Sequence, residues 1–153
     1  MIPRLRRTAR VLLIDSDDRL LLFRCAVTGR APFWCGAGGE CQPGETFTAA
    51  ALREVYEETG LVLAECGPER ARREGLFVTL TGERVRLDER FFLVRTPPFT
   101  PNDSGYSLAE RAAQMTPRWF TRAELRRWPE AILPKDLAGM LDELVPPLFG
   151  LSA

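Results

Sequence analysis

Arg53 is followed closely by Glu54, Glu57 and Glu58. At roughly 100° per residue, a helix would place these glutamates at about 0°, 300° and 40°, one narrow stripe. Their Cβ atoms would lie about 5–6 Å apart. Repulsion at that spacing costs only about a few tenths of a kcal/mol per exposed pair, so the stripe alone is also compatible with a solvated acidic face. Its surroundings argue for more. The stripe falls in the C-terminal half of the expected helix, where the macrodipole already disfavours anions. Gly36-Ala37-Gly38-Gly39 runs just ahead of it, offering backbone that a ligand can approach closely. Glu45 sits at the junction of loop and helix, and Arg53 is placed to grip a carboxylate with a two-pronged fork. A divalent cation would resolve the charge problem, since three carboxylates and a glycine carbonyl make an all-oxygen site.

The composition narrows the chemistry further. The chain has 153 residues and no histidine. That removes Ser-His-Asp and Cys-His nucleophilic sites and the usual imidazole ligands of zinc. Acid–base work must then fall to carboxylates, Lys, Tyr, Cys or a metal-bound water, and the abundance of glutamate favours a hard, oxygen-bound cation. Formal net charge is zero, which implies no bulk attraction to nucleic acid or membrane. Arginine carries almost all the positive charge, with Lys135 the only lysine. The four cysteines form no CxxC pair, and with no signal peptide or long apolar segment in view the expectation is reduced thiols in a cytoplasmic protein.

These residues need elements to position them. The apolar runs Ala9–Ile14 and Leu20–Arg24, around Asp15-Ser16-Asp17-Asp18, read as a β-hairpin. The carboxylate helix follows Pro43-Gly44, with Thr46 as N-cap and Gly60 at the left-handed C-terminal position. Ala51, Leu52, Val55 and Thr59 form its expected buried face. Strands are expected at Leu76–Leu80, Val85–Leu87, Phe91–Arg95 and Arg118–Phe120, with a turn at Thr81-Gly82-Glu83 and a loop from Pro97 to Gly105. Thr121 to Glu124 has the capping-box pattern of a helix start. A last helix is expected from Lys135 to Val145, ended by Pro146-Pro147. With no internal repeat, the length suits a single domain, 1–153, of α/β or α+β class.

Gly39, Glu45, Arg53, Glu54, Val55, Glu57, Glu58, Gly60 and Leu61 fill every fixed position of G-x5-E-x7-R-E-U-x-E-E-x-G-U, where U is a bulky aliphatic residue. The segment therefore resembles the Nudix hydrolase family signature, and the chain looks like a MutT-like member. The upstream hairpin, the Trp34 approach to the glycines and the late Arg118-Trp119-Phe120-Thr121 segment resemble family features as well. Two departures stand out. Gly36 and Ala37 replace a common Leu-Pro, and Gln42 replaces a common glutamate, which points to a less rigid loop before substrate binds.

The resemblance implies an α/β/α sandwich around a mixed sheet. It also implies hydrolysis of a nucleoside diphosphate linked to another group, by water attack at phosphorus with Mg²⁺ or Mn²⁺. It assigns Gly38, Glu54, Glu57 and Glu58 to the metal, and makes Arg53 and Glu45 the brace between loop and helix. Glu54 is the general base within the signature. Glu110 is an alternative from a later loop, weighed against a plain surface glutamate, and Glu89 has a weaker claim. Phe33 and Trp34 could stack on a base or ribose beside Gly39, although core packing suits at least one of them. The markers of ADP-ribose, diadenosine polyphosphate, NADH and coenzyme A hydrolases are missing, which leaves a nucleoside triphosphate or nucleotide sugar. A small-molecule nucleotide is the expected partner, with neither nucleic acid nor membrane, and a homodimer is a possible assembly. The competing reading is a nucleotide sensor of the same fold without turnover.

Overall fold

A computed structural model describes residues 2–145. Its framework is a long first strand, β1 (Arg4–Asp15), followed by β2 (Leu20–Cys25), β3 (Phe33–Glu40), helix α1 (Phe47–Thr59), β4 (Glu69–Val78) and β5 (Arg84–Thr96). Then come α2 (Leu108–Ala112), β6 (Thr116–Phe120), α3 (Arg122–Arg127), β7 (Ala131–Ile132) and α4 (Leu137–Leu144). The strands form one mixed sheet in the order β4-β5-β1-β2-β3-β7, with β6 added against β2.

The strand β1 organises this sheet because it is paired on both sides. It runs parallel to β5 along its whole length, from Arg4 opposite Val85 to Asp15 opposite Thr96. On the other side it meets β3 from Thr8 to Val11 and reaches β2 only at Ile14. The expected hairpin is therefore a tight turn between strands that hardly pair with each other. Its second strand instead pairs with β3 and β6, and the sheet curls where β1 changes partner.

Alternation along β1 feeds two cores, as a strand covered on both faces must. Ala9, Val11 and Leu13 join Ala50, Ala51 and Val55 of α1 in one cluster. Leu12 and Ile14 join Leu125, Leu137 and Leu141 of α3 and α4 in the other. The mixed, curled sheet between helical layers is the α+β architecture expected. Within α1, however, Leu52 is only half-buried, while Ala50, Glu54 and Glu58 turn inward with Ala51, Val55 and Thr59.

Other differences have simple causes. Strand β4 begins at Glu69, well before the expected Leu76, because a solvent-exposed edge strand tolerates the charged run Glu69 to Glu74. The two expected pieces Val85–Leu87 and Phe91–Arg95 are one continuous strand, β5. Helix α4 starts at Leu137, and the Pro146-Pro147 stop lies outside the described residues. The short helix α2 was not expected, although Ser107 and Glu110 close a full capping box around it. The caps at Thr46, Gly60 and Thr121 are present. Among the described residues, no helix is long and apolar enough to cross a membrane.

Phe120 anchors the second core. It is fully buried, and its ring meets Trp34 at 4.9 Å and Trp128 at 4.7 Å, both edge to face. Phe120→Ala is expected to destabilise the fold by about 3–5 kcal/mol in urea denaturation, since it opens a cavity among rigid aromatic rings. A loss below about 1 kcal/mol would show that this packing is not where the stability lies.

Candidate metal and substrate site

Arg53 ties helix α1 to the strand and loop that precede it. Arg53 donates from Nε to Glu45 Oε2 at 2.9 Å and from Nη2 to Glu45 Oε1 at 2.8 Å, a bidentate pair. Its Nη2 also reaches the Glu40 carbonyl at 3.1 Å, at the end of β3. Its Nη1 donates to Glu54 Oε1 at 2.9 Å and to Glu57 Oε2 at 3.2 Å. These hydrogen bonds hold the Glu45 carboxyl down at about 2, and the Gln42 N–H adds a further bond to it.

The glycines before the helix are spacers for the carboxylates. A Cβ on Gly39 would stand 2.5 Å from Glu54 Oε1. Gly38 has φ of 145°, and a Cβ there would stand 2.0 Å from the Ala9 carbonyl oxygen of β1. Only glycine fits at Gly38, where backbone is met at a positive φ, whereas a side chain at Gly39 would push the Glu54 carboxylate aside. The Gly38 N–H donates to Glu58 Oε1 at 2.6 Å, tying the second carboxylate to the sheet.

The third carboxylate arrives from far along the chain. The loop after β5 is stitched to the end of α1 by the Asn102 N–H, which donates to the Thr59 carbonyl at 2.8 Å. The loop then delivers α2, whose capping box fixes Glu110. Glu54, Glu58 and Glu110 are all buried, and each offers a carboxylate oxygen within 4.8 Å of the others. Glu57 is not in this group. It lies at the rim, 37% exposed and paired with Arg53.

Burial pushes the Glu54 carboxyl up to about 7 against the pull of Arg53, and pushes Glu58 well above the usual carboxylate range. Glu110 moves down despite its burial, because it accepts a hydrogen bond from the Glu58 carboxyl and is bonded to Ser107. Without a cation, then, the trio shares protons. The donor set is all oxygen, crowded, buried and short of positive partners, which fits a hard divalent cation and not a soft one.

A cavity of about 290 Å³ opens beside the trio, with Gly38, Gly39, Arg53, Glu54, Glu58 and Glu110 in its wall. A second cavity, of about 310 Å³, adjoins it and is lined by Phe33, Phe77, Leu87 and Leu133. Arg10, Phe33, Cys35 and Phe77 border both. Phe33 thus faces the site. Trp34, next in β3, points the opposite way into the second core, where its Nε1 donates to Glu130 at 2.8 Å.

Sequence reasoning missed Arg6 and Arg10, both of which reach the first cavity. Arg10 donates to Glu89 Oε2 at 3.2 Å and to the Gly36 carbonyl at 2.8 Å. Glu89 is therefore the buried partner of an arginine. The available signal was a pair of arginines with strand alternation, Arg6 and Arg10, running into an otherwise apolar segment.

The NUDIX domain profile matches residues 4–144 of this chain. Among solved structures, the chain is similar to a MutT protein from Methanosarcina mazei Go1, with 15% identity, a TM-score of 0.64, and 94% of this chain and 95% of that one covered. It is also similar to a MutT NUDIX hydrolase from Burkholderia pseudomallei, with 19% identity, a TM-score of 0.63 and coverage of 93% and 98%. A NUDIX family hydrolase from Clostridium perfringens gives 16% identity, a TM-score of 0.63 and coverage of 90% and 94%. At such identities the structural likeness speaks to the fold, whereas the profile spans nearly the whole chain. With the signature intact from Gly39 to Leu61, the chain belongs to the Nudix family of hydrolases.

Proposed function

We propose that this enzyme hydrolyses the pyrophosphate bond of a nucleoside diphosphate linked to another group, by water attack at phosphorus, with Mg²⁺ or Mn²⁺. A nucleoside triphosphate or a nucleotide sugar is the proposed substrate. The observation that supports this most is the buried trio Glu54, Glu58 and Glu110 in the wall of one cavity, which adjoins a second across Phe33 and Phe77. When bound, the divalent cation neutralises phosphate charge and lowers the pKa of water.

Glu54, Glu58 and Glu110 hold the cation, and the Gly38 carbonyl and the rim residue Glu57 complete the set offered to it. The Gly38 N–H keeps Glu58 from swinging away. Arg53 and Glu45 fix the approach of loop to helix and do not touch the reacting atoms. Arg53 occupies Glu54 Oε1, so Oε2 is the atom offered to a proton from the attacking water. Glu110 is the alternative base. Arg6 and Arg10 oppose the remaining phosphate charge, while Phe33 and its apolar neighbours receive the nucleoside or the group attached to it.

The test is a Mg²⁺-dependent screen over nucleoside triphosphates, nucleotide sugars, ADP-ribose and dinucleoside polyphosphates. One class is expected to release a nucleoside monophosphate. Glu58→Gln and Glu110→Gln are each expected to lower that turnover roughly 10²-fold or more. Binding without turnover across the panel would favour the sensor instead.

A second expectation concerns pH. Glu54 and Glu58 hold protons more tightly in the fold than in the unfolded chain, so the metal-free fold loses stability as pH rises from about 4.5 through 7. A cation that displaces these protons restores the loss. Mg²⁺ is therefore expected to raise the Tm by a few degrees more near pH ~8 than near pH ~6 in calorimetry. An equal or smaller shift near pH ~8 would separate the cation from these carboxylates.

A further inference from the structure

Two cysteines share the cavity wall with the carboxylates. Cys25 of β2 stands opposite Phe33, and Cys35 of β3 stands opposite Phe23, so the two lie one diagonal step apart on an antiparallel ladder. Strand alternation sends both side chains to the same face, and both belong to the first core. Cys25 is closed in, whereas Cys35 is half-buried and borders both cavities. Arg10, pinned by Glu89 and Gly36, lays Nη1 at 3.8 Å from Cys35 Sγ.

Such a place suits a reactive thiol: electropositive, reachable and beside a second sulfur. The Cys25 thiol, and then Arg10, hold the Cys35 thiol down at about 7 although burial opposes them. Cys41 and Cys66 line neither cavity and are pushed up by burial, in Cys41 despite the charges of Arg7 and Arg53.

We propose that Cys35 is a modification site that undergoes exchange with low-molecular-weight disulfides, and that the resulting mixed disulfide fills the cavity. The Cys35 thiolate attacks one sulfur of the small disulfide. The new S–S bond forms as the old one breaks, and the departing thiolate takes a proton from solvent. The small disulfide is the only oxidant needed. Cys25 positions the reactive sulfur, and an external thiol removes the adduct and returns the free Cys35 thiolate. The loss of turnover rests on the reading of the cavity as the substrate site, but the reactivity of Cys35 does not.

The full-length protein is treated with oxidised glutathione near neutral pH. Adducts are located by fragment-ion mass spectrometry over time, and turnover is followed in parallel before and after adding reductant. The first adduct is expected on Cys35, roughly five- to tenfold faster than on Cys41 or Cys66. Cys25→Ser is expected to slow it several-fold. Turnover should fall in step with Cys35 occupancy and return with reductant. A first adduct on another cysteine, or equal rates, overturns the modification site, and that readout needs no enzymatic activity. Full occupancy of Cys35 with undiminished turnover overturns the blockage.

Discussion

Arg53 commits all five of its N–H donors, two of them to Glu45 and one each to the Glu40 carbonyl, Glu54 and Glu57. The rest of the site depends on that one guanidinium. It joins the end of β3, the loop after it and two turns of α1, so the carboxylates of the helix and the glycines of the strand meet at fixed separations. A lysine, with three donors on a point charge, could not bridge these places at once. The brace works on the loop as well. Gly36 and Ala37 lack the stiffening proline common in relatives, and the Glu45 carboxylate keeps the following turn in place through the Gln42 N–H.

The second constraint is crowding. Gly38 leaves no room for a side chain against the Ala9 and Arg10 backbone, and the Glu54 carboxylate takes the space beside Gly39. Two glutamates are thereby driven into the sheet side of α1, where burial makes their negative charges costly. Glu110 closes the group from the far side. Three buried carboxyls that must share protons in the absence of a cation are poorly placed for stability and well placed for one. That tension is the physical content of the signature: its arginine holds the carboxylates together, and its glycines let them approach the backbone.

What could be read before the structure was known follows from range. The signature lies on one helix and the loop before it, so residue spacing carried its geometry, including the Thr46 and Gly60 caps. The burial of Glu54 and Glu58 was less visible, because periodicity alone put Leu52 on the inner face. Glu110 was a candidate base only through the family resemblance, because its own segment reads like that of a plain surface glutamate. Its place is set by the loop after β5, which is tied to α1 through Asn102, and such a long-range stitch leaves no local pattern. Strand β1 illustrates the same limit: its turn to β2 was evident, but its full-length partner is β5, some eighty residues away. Alternation implied that Phe33 and Trp34 face opposite ways, yet which one meets the cavity depended on where the helices pack.

The most direct measurement is Mn²⁺ binding followed by loss of the free-ion electron paramagnetic resonance signal, in the intact protein and in Glu58→Gln. The account predicts saturable binding by the wild-type chain that is weakened at least about tenfold in the variant, with circular dichroism unchanged. Equal Mn²⁺ affinity in both proteins would contradict it, because the buried trio would then not be what holds the metal.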